Sequence, residues 1–113
     1  MEDRLYLVIA KSLEDEIMSG VIKEGGAAPS TNTLAERFGA NPATVAKGVS
    51  RLTEAGYLAK KRGVGLFVAA GAREAIIARR RKEFREELVH NTLGEARKLG
   101  ITKMDLVAMI MSE

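Results

Sequence analysis

Apolar residues in the first part of the chain recur with the period of a helix. Five of them fall on one face between residues 4 and 19: Leu5, Val8, Ile9, Leu13 and Ile17. This spacing predicts an amphipathic helix that ends near Gly20. Residues 20–30 contain three glycines and one proline and predict a loop.

A short helix is predicted to follow this loop. Ser30 occupies an N-cap position, where its hydroxyl can accept a hydrogen bond from the first turn. Leu34 and Phe38 then lie one turn apart on the same face. Gly39 ends the helix, because glycine readily adopts the left-handed conformation that terminates helices.

The start of the next helix is marked more strongly. Asn41 is a favoured N-cap, and the proline after it sits at the first helical position, where a missing N–H is harmless. Val45, Val49 and Leu52 recur at i, i+4 and i+7, and Gly56 closes the helix. Two short helices separated by a sharp turn are the arrangement of a helix-turn-helix.

Two short alternating segments come next, at Tyr57–Lys60 and Leu66–Ala69. They flank the glycine-bearing segment 61–65 and predict a β-hairpin with a basic tip. The expected fold is therefore mainly α with a small β-hairpin (α+β). We expect residues 1–70 to form a winged helix-turn-helix domain.

The remaining residues, 71–113, are predicted to form two helices. A helical pattern runs from Ala72 to about Lys98 and stops near Gly100. Thr102 and Asp105 resemble a capping box for a last helix whose apolar residues include Leu106, Val107, Met109 and Ile110. Two such helices cannot form a core alone, so we expect this region to pack on the first helix or on a second copy of the chain.

Charge is distributed unevenly along the chain. The net charge of the 113 residues is only +3, but residues 1–36 hold three Lys/Arg against seven Asp/Glu, a net of −4. Residues 37–62 hold six basic residues against Glu54 alone, a net of +5. These basic residues are Arg37, Lys47, Arg51, Lys60, Lys61 and Arg62. A basic stretch that coincides with the helix-turn-helix favours attraction to the phosphates of double-stranded DNA.

The candidate DNA-binding residues follow from the way a helix-turn-helix docks, with the N-terminal residues of its second helix in the major groove. Thr44 can reach a base edge or a phosphate, Lys47 a phosphate or guanine, and Ala43 a thymine methyl. The start of the preceding helix could hold a phosphate, and Arg62 beside Gly63 could enter a minor groove. The full set is Ser30, Asn32, Asn41, Pro42, Ala43, Thr44, Lys47, Lys61, Arg62 and Gly63.

Other classes of function have little support in the sequence. A single histidine, His90, and the lack of cysteine argue against a metal site, and no nucleophile–base pair suggests an enzyme or a cofactor. The N-terminus lacks the shape of a signal peptide and no apolar run is long enough for a membrane span, so we expect a cytoplasmic protein. The basic run 79–82 is interpreted as a solvated helix face with acidic partners such as Glu83.

The sequence of residues 28–69 resembles the DNA-binding domain of GntR-family bacterial transcription regulators. The likeness spans residues 5–70, and the Asn-Pro-Ala-Thr-Val helix start and the Lys-Arg-Gly-Val-Gly-Leu-Phe-Val hairpin are similar to its YtrA subfamily. The resemblance implies a homodimeric repressor, held together by its short C-terminal helices, on a pseudo-palindromic operator. It also suggests control of the regulator's own operon, often one encoding a membrane transporter.

The chain departs from the family pattern at three positions where relatives have DNA-contacting arginines. These positions hold Asn32, Pro42 and Ala46, whereas Thr44, Arg62 and Gly63 keep the pattern. The departures leave open an alternative, a winged-helix protein-interaction module with only weak, non-specific DNA binding. A third alternative also stays open, in which an unidentified small-molecule effector binds in a pocket between the C-terminal helices.

Overall fold

The computed structural model describes residues 2–113 and confirms a mainly helical fold with one β-hairpin. Its elements, in chain order, are α1 (Glu2–Ser19), α2 (Thr31–Phe38), α3 (Pro42–Glu54), β1 (Leu58–Lys61), β2 (Gly65–Val68), α4 (Ala72–Glu83), α5 (His90–Lys98) and α6 (Lys103–Met111). A π-helical segment, Phe84–Val89, joins α4 to α5. The described residues include no helix with both the length and the apolar character needed to cross a bilayer.

The chain divides into two compact units, one reaching up to Ile77 and one formed by Ala78–Glu113. The first unit contains the helix-turn-helix and the hairpin around one hydrophobic core. The core residues that are almost completely buried are Ile9, Leu13, Ile17, Leu34, Val45, Leu52, Val68 and Ile76. Because Ala72 and Ile76 are buried in this core, the first unit extends past residue 70 into the start of α4.

One apolar position of α1 does not face the core as expected. Val8 is 53% exposed, whereas its neighbour Ile9 is completely buried. Successive side chains of a helix point in different directions, so burying Ile9 against α3 turns Val8 towards solvent. The expectation that Val8 belongs to the buried face was therefore wrong.

The hairpin pairs Leu58 with Val68 at one end and Lys61 with Gly65 at the other. Both strands are shifted by one residue from the predicted Tyr57–Lys60 and Leu66–Ala69, so the loop is shorter than expected. The turn closes locally, because the Val64 N–H donates to the Lys61 carbonyl at 3.0 Å.

The glycine-rich loop before α2 lies along the outer edge of β2. The Gly25 N–H donates to the Val68 carbonyl at 2.7 Å, and the Ala28 N–H donates to the Leu66 carbonyl at 2.9 Å. This loop therefore satisfies backbone groups that an open strand edge would leave unpaired.

The start of α4 is fastened to the end of α1. The Arg73 side chain donates from Nε to the Met18 carbonyl at 2.9 Å, and the Arg73 backbone N–H donates to a Glu24 carboxylate oxygen at 3.3 Å. A guanidinium at the C-terminal carbonyls of α1 and a carboxylate at the N-terminus of α4 each face the favourable end of a helix dipole. These contacts hold the first turn of α4 against the rest of the first unit.

The second unit contains the capping box expected at the start of α6. The Thr102 hydroxyl accepts from the Asp105 N–H, and the Asp105 carboxylate accepts from the Thr102 N–H, both at 3.0 Å. The Thr102 backbone N–H, which donates to the Asp105 carboxylate, lowers the pKa of Asp105, and the Thr102 side chain contributes a smaller lowering. The hydrogen bond to the Asp105 carboxylate therefore stabilises α6 while that carboxylate is ionised, and this contribution is lost as the pH falls through the lowered pKa.

A close approach between α1 and α3 occurs at Gly48, which is buried. A Cβ placed on Gly48 would lie 2.8 Å from the Tyr6 carbonyl oxygen and 3.1 Å from Cγ2 of Ile9. The first of these distances is shorter than real Cβ contacts allow, and backbone atoms cannot rotate out of the way. Only glycine at this position lets the two helices pack at the observed distance.

We expect Gly48→Ala to destabilise the protein. Alanine normally stabilises a helix relative to glycine by up to about 1 kcal/mol, but here its methyl group would push α1 away from α3. Overpacking of this kind costs about 1–3 kcal/mol, so the free energy of unfolding in denaturant should fall by a similar amount.

Gly94→Ala is the matched control, because Gly94 also lies within a helix and a Cβ there would meet nothing within 4 Å. This variant should be as stable as the original chain or more stable. Equal unfolding free energies for the two alanine variants would contradict the assignment of Gly48 as a close contact.

Candidate nucleic-acid interface

The N-terminus of α3 is stabilised by the side chain of its N-cap residue, Asn41. The Asn41 side-chain oxygen accepts a hydrogen bond from the Thr44 N–H at 2.9 Å, and Pro42 occupies the first turn. Asn41, Pro42 and Ala43 are exposed and Thr44 is half-buried. The cap uses the oxygen of the Asn41 amide, which leaves its NH2 group as a donor that can contact DNA.

The N-terminus of α2 has the expected Ser30 cap. The Ser30 hydroxyl accepts from the Thr33 N–H at 3.1 Å and donates to the Thr33 hydroxyl at 2.9 Å. The hydroxyl is thus occupied within α2, and a phosphate there would have to rely on backbone N–H groups and on Asn32. Asn32 is exposed on the first turn.

The tip of the hairpin presents three of the candidate residues. Lys61 is the last residue of β1, and Arg62 and Gly63 form the turn, all three exposed. Gly63 has a φ of 79°, a left-handed conformation that glycine adopts without strain. The tip is therefore narrow beside the Arg62 side chain.

The structure also changes the assignment of the basic residues in the 37–62 stretch. Arg37 forms an ion pair with Glu16 of α1, so its charge is partly neutralised within the first unit. Lys47 and Arg51 instead lie beside an aromatic ring, with Lys47 Nζ 4.1 Å and Arg51 Cζ 6.0 Å from the centroid of Tyr6. Neither pairs with a carboxylate among the side chains that the structure describes.

Tyr6 was not predicted as part of the interface. It lies in α1, and only the packing of α1 against α3 brings its ring beside Lys47. Neither periodicity nor charge in the sequence signals such a contact. Arg51 was recognised as basic but not as a neighbour of Lys47, although their i, i+4 spacing on one helix could have indicated it.

The remaining sequence candidates outside this region are His90 and the basic run 79–82. Within the described part of the chain, no three His, Cys, Asp or Glu side chains come together as metal ligands, and His90 is exposed. In the basic run 79–82, Arg79 pairs with Glu83 at 2.9 Å, which confirms the acidic partner expected for this helix face.

Residues 5–68 match the sequence profile of the family described as "Bacterial regulatory proteins, gntR family". Two Bacillus subtilis proteins are similar over 84 residues each. The HTH-type transcriptional regulator YurK is 32% identical over 73% of this chain, and the HTH-type transcriptional repressor YtrA is 27% identical over 74% of it. The aligned region spans 35% of the length of YurK and 65% of that of YtrA.

Solved structures of other proteins share the architecture of this chain. A GntR-family protein from Bacteroides thetaiotaomicron superposes with a TM-score of 0.78 at 32% identity, covering 95% of this chain and 93% of that one. The DNA-binding domain of AraR, solved in complex with its operator ORX1, superposes with a TM-score of 0.55 at 29% identity. That match covers 57% of this chain and 78% of the AraR chain.

The cap of α3 can be tested by Asn41→Ala. Removing the side-chain acceptor for the Thr44 N–H should lower the free energy of unfolding by about 0.5–2 kcal/mol, as measured in denaturant. Asn32→Ala is the control, because Asn32 is exposed within α2 and alanine is the better helix former. If Asn32→Ala lowered the free energy of unfolding as much as Asn41→Ala, the loss could not be attributed to the Asn41 cap.

Proposed function

Because the chain belongs to the GntR family of bacterial regulatory proteins, we propose that it is a homodimeric, sequence-specific transcriptional repressor. It is a transcription regulator with a DNA-binding winged helix and not an enzyme. The finer claims of the proposal are repression, dimerisation, a pseudo-palindromic operator and a location with the bacterial DNA in the cytoplasm. Its principal support is one compact unit that carries both a capped helix with a basic face and a basic hairpin tip.

In the proposed complex, α3 enters the major groove with its N-terminus first. Ala43 and Thr44 approach base edges, and Lys47 approaches a phosphate or a guanine. Arg62, flanked by Gly63, enters the neighbouring minor groove, and Lys61 contacts a phosphate. The N–H groups of the first turn of α2, with Asn32, hold a further phosphate. The similarity to the AraR domain, which was solved with an operator, and to the repressor YtrA supports DNA binding by this fold.

The second unit supports the homodimer. Among residues 78–113, all of which the structure describes, Ala96 alone is buried. Large apolar side chains are exposed along the whole unit: Phe84, Leu88, Val89, Leu99, Met104, Val107, Met109, Ile110 and Met111. Exposed apolar surface of this extent marks an interaction site, and a second copy of the same helices would cover it.

A winged-helix protein-interaction module is the second candidate function. The observation in its favour is the presence of Asn32, Pro42 and Ala46 where the resemblance implies arginines. Such a module would bind DNA weakly and without regard to sequence. The comparison of selected with scrambled duplexes below therefore distinguishes the two candidates.

We expect duplexes selected from a random DNA library to bind the full chain far more tightly than scrambled duplexes of equal length. Affinity should also fall with salt, because neutralising phosphates releases counterions. Lys47→Gln should make the log–log salt dependence shallower by about 0.9 for each phosphate that Lys47 neutralises. Lys103→Gln, an exposed lysine on α6, should leave the slope unchanged. Equal binding of selected and scrambled duplexes would rule out a sequence-specific regulator and favour the interaction module.

The dimer interface can be tested by Ile110→Glu. Ile110 is 64% exposed on α6, and burying an unpaired carboxylate between two copies would be strongly unfavourable. Light scattering should show a dimer for the original chain and a monomer for the variant.

Val21→Glu is the matched control, since Val21 is 71% exposed in the loop of the first unit. This variant should remain dimeric. A truncation intended to isolate the DNA-binding unit should end after Ile77 rather than after residue 70, because Ala72 and Ile76 belong to its core. A dimeric truncated chain would place the interface in the first unit instead.

A further inference from the structure

We propose that Tyr6 of α1 is a positioning residue for DNA binding, because its ring holds the Lys47 ammonium group, with the Arg51 guanidinium beside it, on the exposed face of α3. The proposal rests on the DNA-binding role of α3 proposed above. It adds a residue outside the helix-turn-helix to the set that determines affinity.

The first support is the geometry of the three side chains. Lys47 Nζ lies 4.1 Å from the centroid of the Tyr6 ring and Arg51 Cζ lies 6.0 Å from it. Both distances fall within the range of about 6 Å in which a cation is attracted to the negative face of an aromatic ring. Lys47 and Arg51 are spaced i, i+4, so both cations project from the same side of α3.

The second support is the rigidity of the ring's attachment. Tyr6 is half-buried, and its own carbonyl oxygen is the atom that the close approach at Gly48 brings against α3. Ile9, one turn further along α1, is completely buried in the core. The backbone that carries the ring is therefore fixed relative to α3, and the ring can restrict Lys47 in turn.

The third support is the position of Lys47 in the sequence. It is the only charged residue between Arg37 and Arg51, so the first half of α3 has no other cation. A lysine has a flexible stem and a compact charge, and much of its side-chain freedom disappears when it binds a phosphate or a base. Holding the ammonium group against Tyr6 before DNA arrives removes part of this entropic cost.

The first test is made on the free, full-length protein by NMR. The ε-methylene protons of Lys47 should be shifted upfield by the ring current of Tyr6, and Tyr6→Phe should preserve this shift. Random-coil shifts of these protons in the original chain would overturn the proposal, whatever the protein does with DNA. This measurement therefore stays informative even if the proposed DNA-binding function is wrong.

The second test is a double-mutant cycle with a selected operator duplex. Tyr6→Leu removes the ring but keeps an apolar side chain, and it should weaken binding by about two- to fivefold per protomer, the range expected for an exposed cation–π contact. Tyr6→Phe should bind within about twofold of the original chain, since the ring alone provides the attraction. In a Lys47→Gln background, Tyr6→Leu should have little further effect.

Three outcomes would overturn the proposal. Equal reductions in affinity for Tyr6→Leu with and without Lys47→Gln would mean that the ring acts independently of the lysine. A reduction for Tyr6→Phe as large as that for Tyr6→Leu would point to an interaction made by the tyrosine hydroxyl. An unchanged affinity for Tyr6→Leu would show that the ring has no role in binding. If the original chain fails to prefer the operator over a scrambled duplex, the proposed function fails, and the NMR result alone decides whether the ring holds the lysine.

Discussion

The close approach of α1 to α3 at Gly48 is the constraint on which the first unit depends. Because position 48 has no side chain, the Tyr6 carbonyl oxygen and the Ile9 side chain can lie directly against α3. This contact places Ile9 in the core beside Val45 and Leu52 of α3. It also brings an aromatic side chain of α1 next to the basic side chains of α3. A single glycine thus links the packing of the core to the chemistry of the exposed face.

Much of the fold could be predicted from the sequence because it is determined locally. The caps made by Ser30, Asn41 and Thr102 each involve hydrogen bonds within three residues, and short motifs reveal such bonds directly. Gly39, with a φ of 58°, ends α2 for an equally local reason. The helix-turn-helix and the hairpin follow from these signals together with the apolar spacing.

The features that could not be predicted depend on contacts between distant parts of the chain or on small register changes. The pairing of Arg37 with Glu16 joins α2 to α1, and the position of Tyr6 beside Lys47 joins α1 to α3. The strands differ by one residue from the predicted segments because the turn closes with a hydrogen bond between Val64 and Lys61. The π-helical segment Phe84–Val89 interrupts a helical pattern that is continuous in the sequence, and no residue in it signals the change.

In the proposed function, two copies of the chain read two halves of one DNA site. Hydroxyl-radical footprinting of the full-length protein on a selected operator tests it most directly. We expect two protected patches related by two-fold symmetry, with their centres separated by about one helical turn of 10–10.5 base pairs or a multiple of it. A single protected patch, or uniform protection along the duplex, would contradict it.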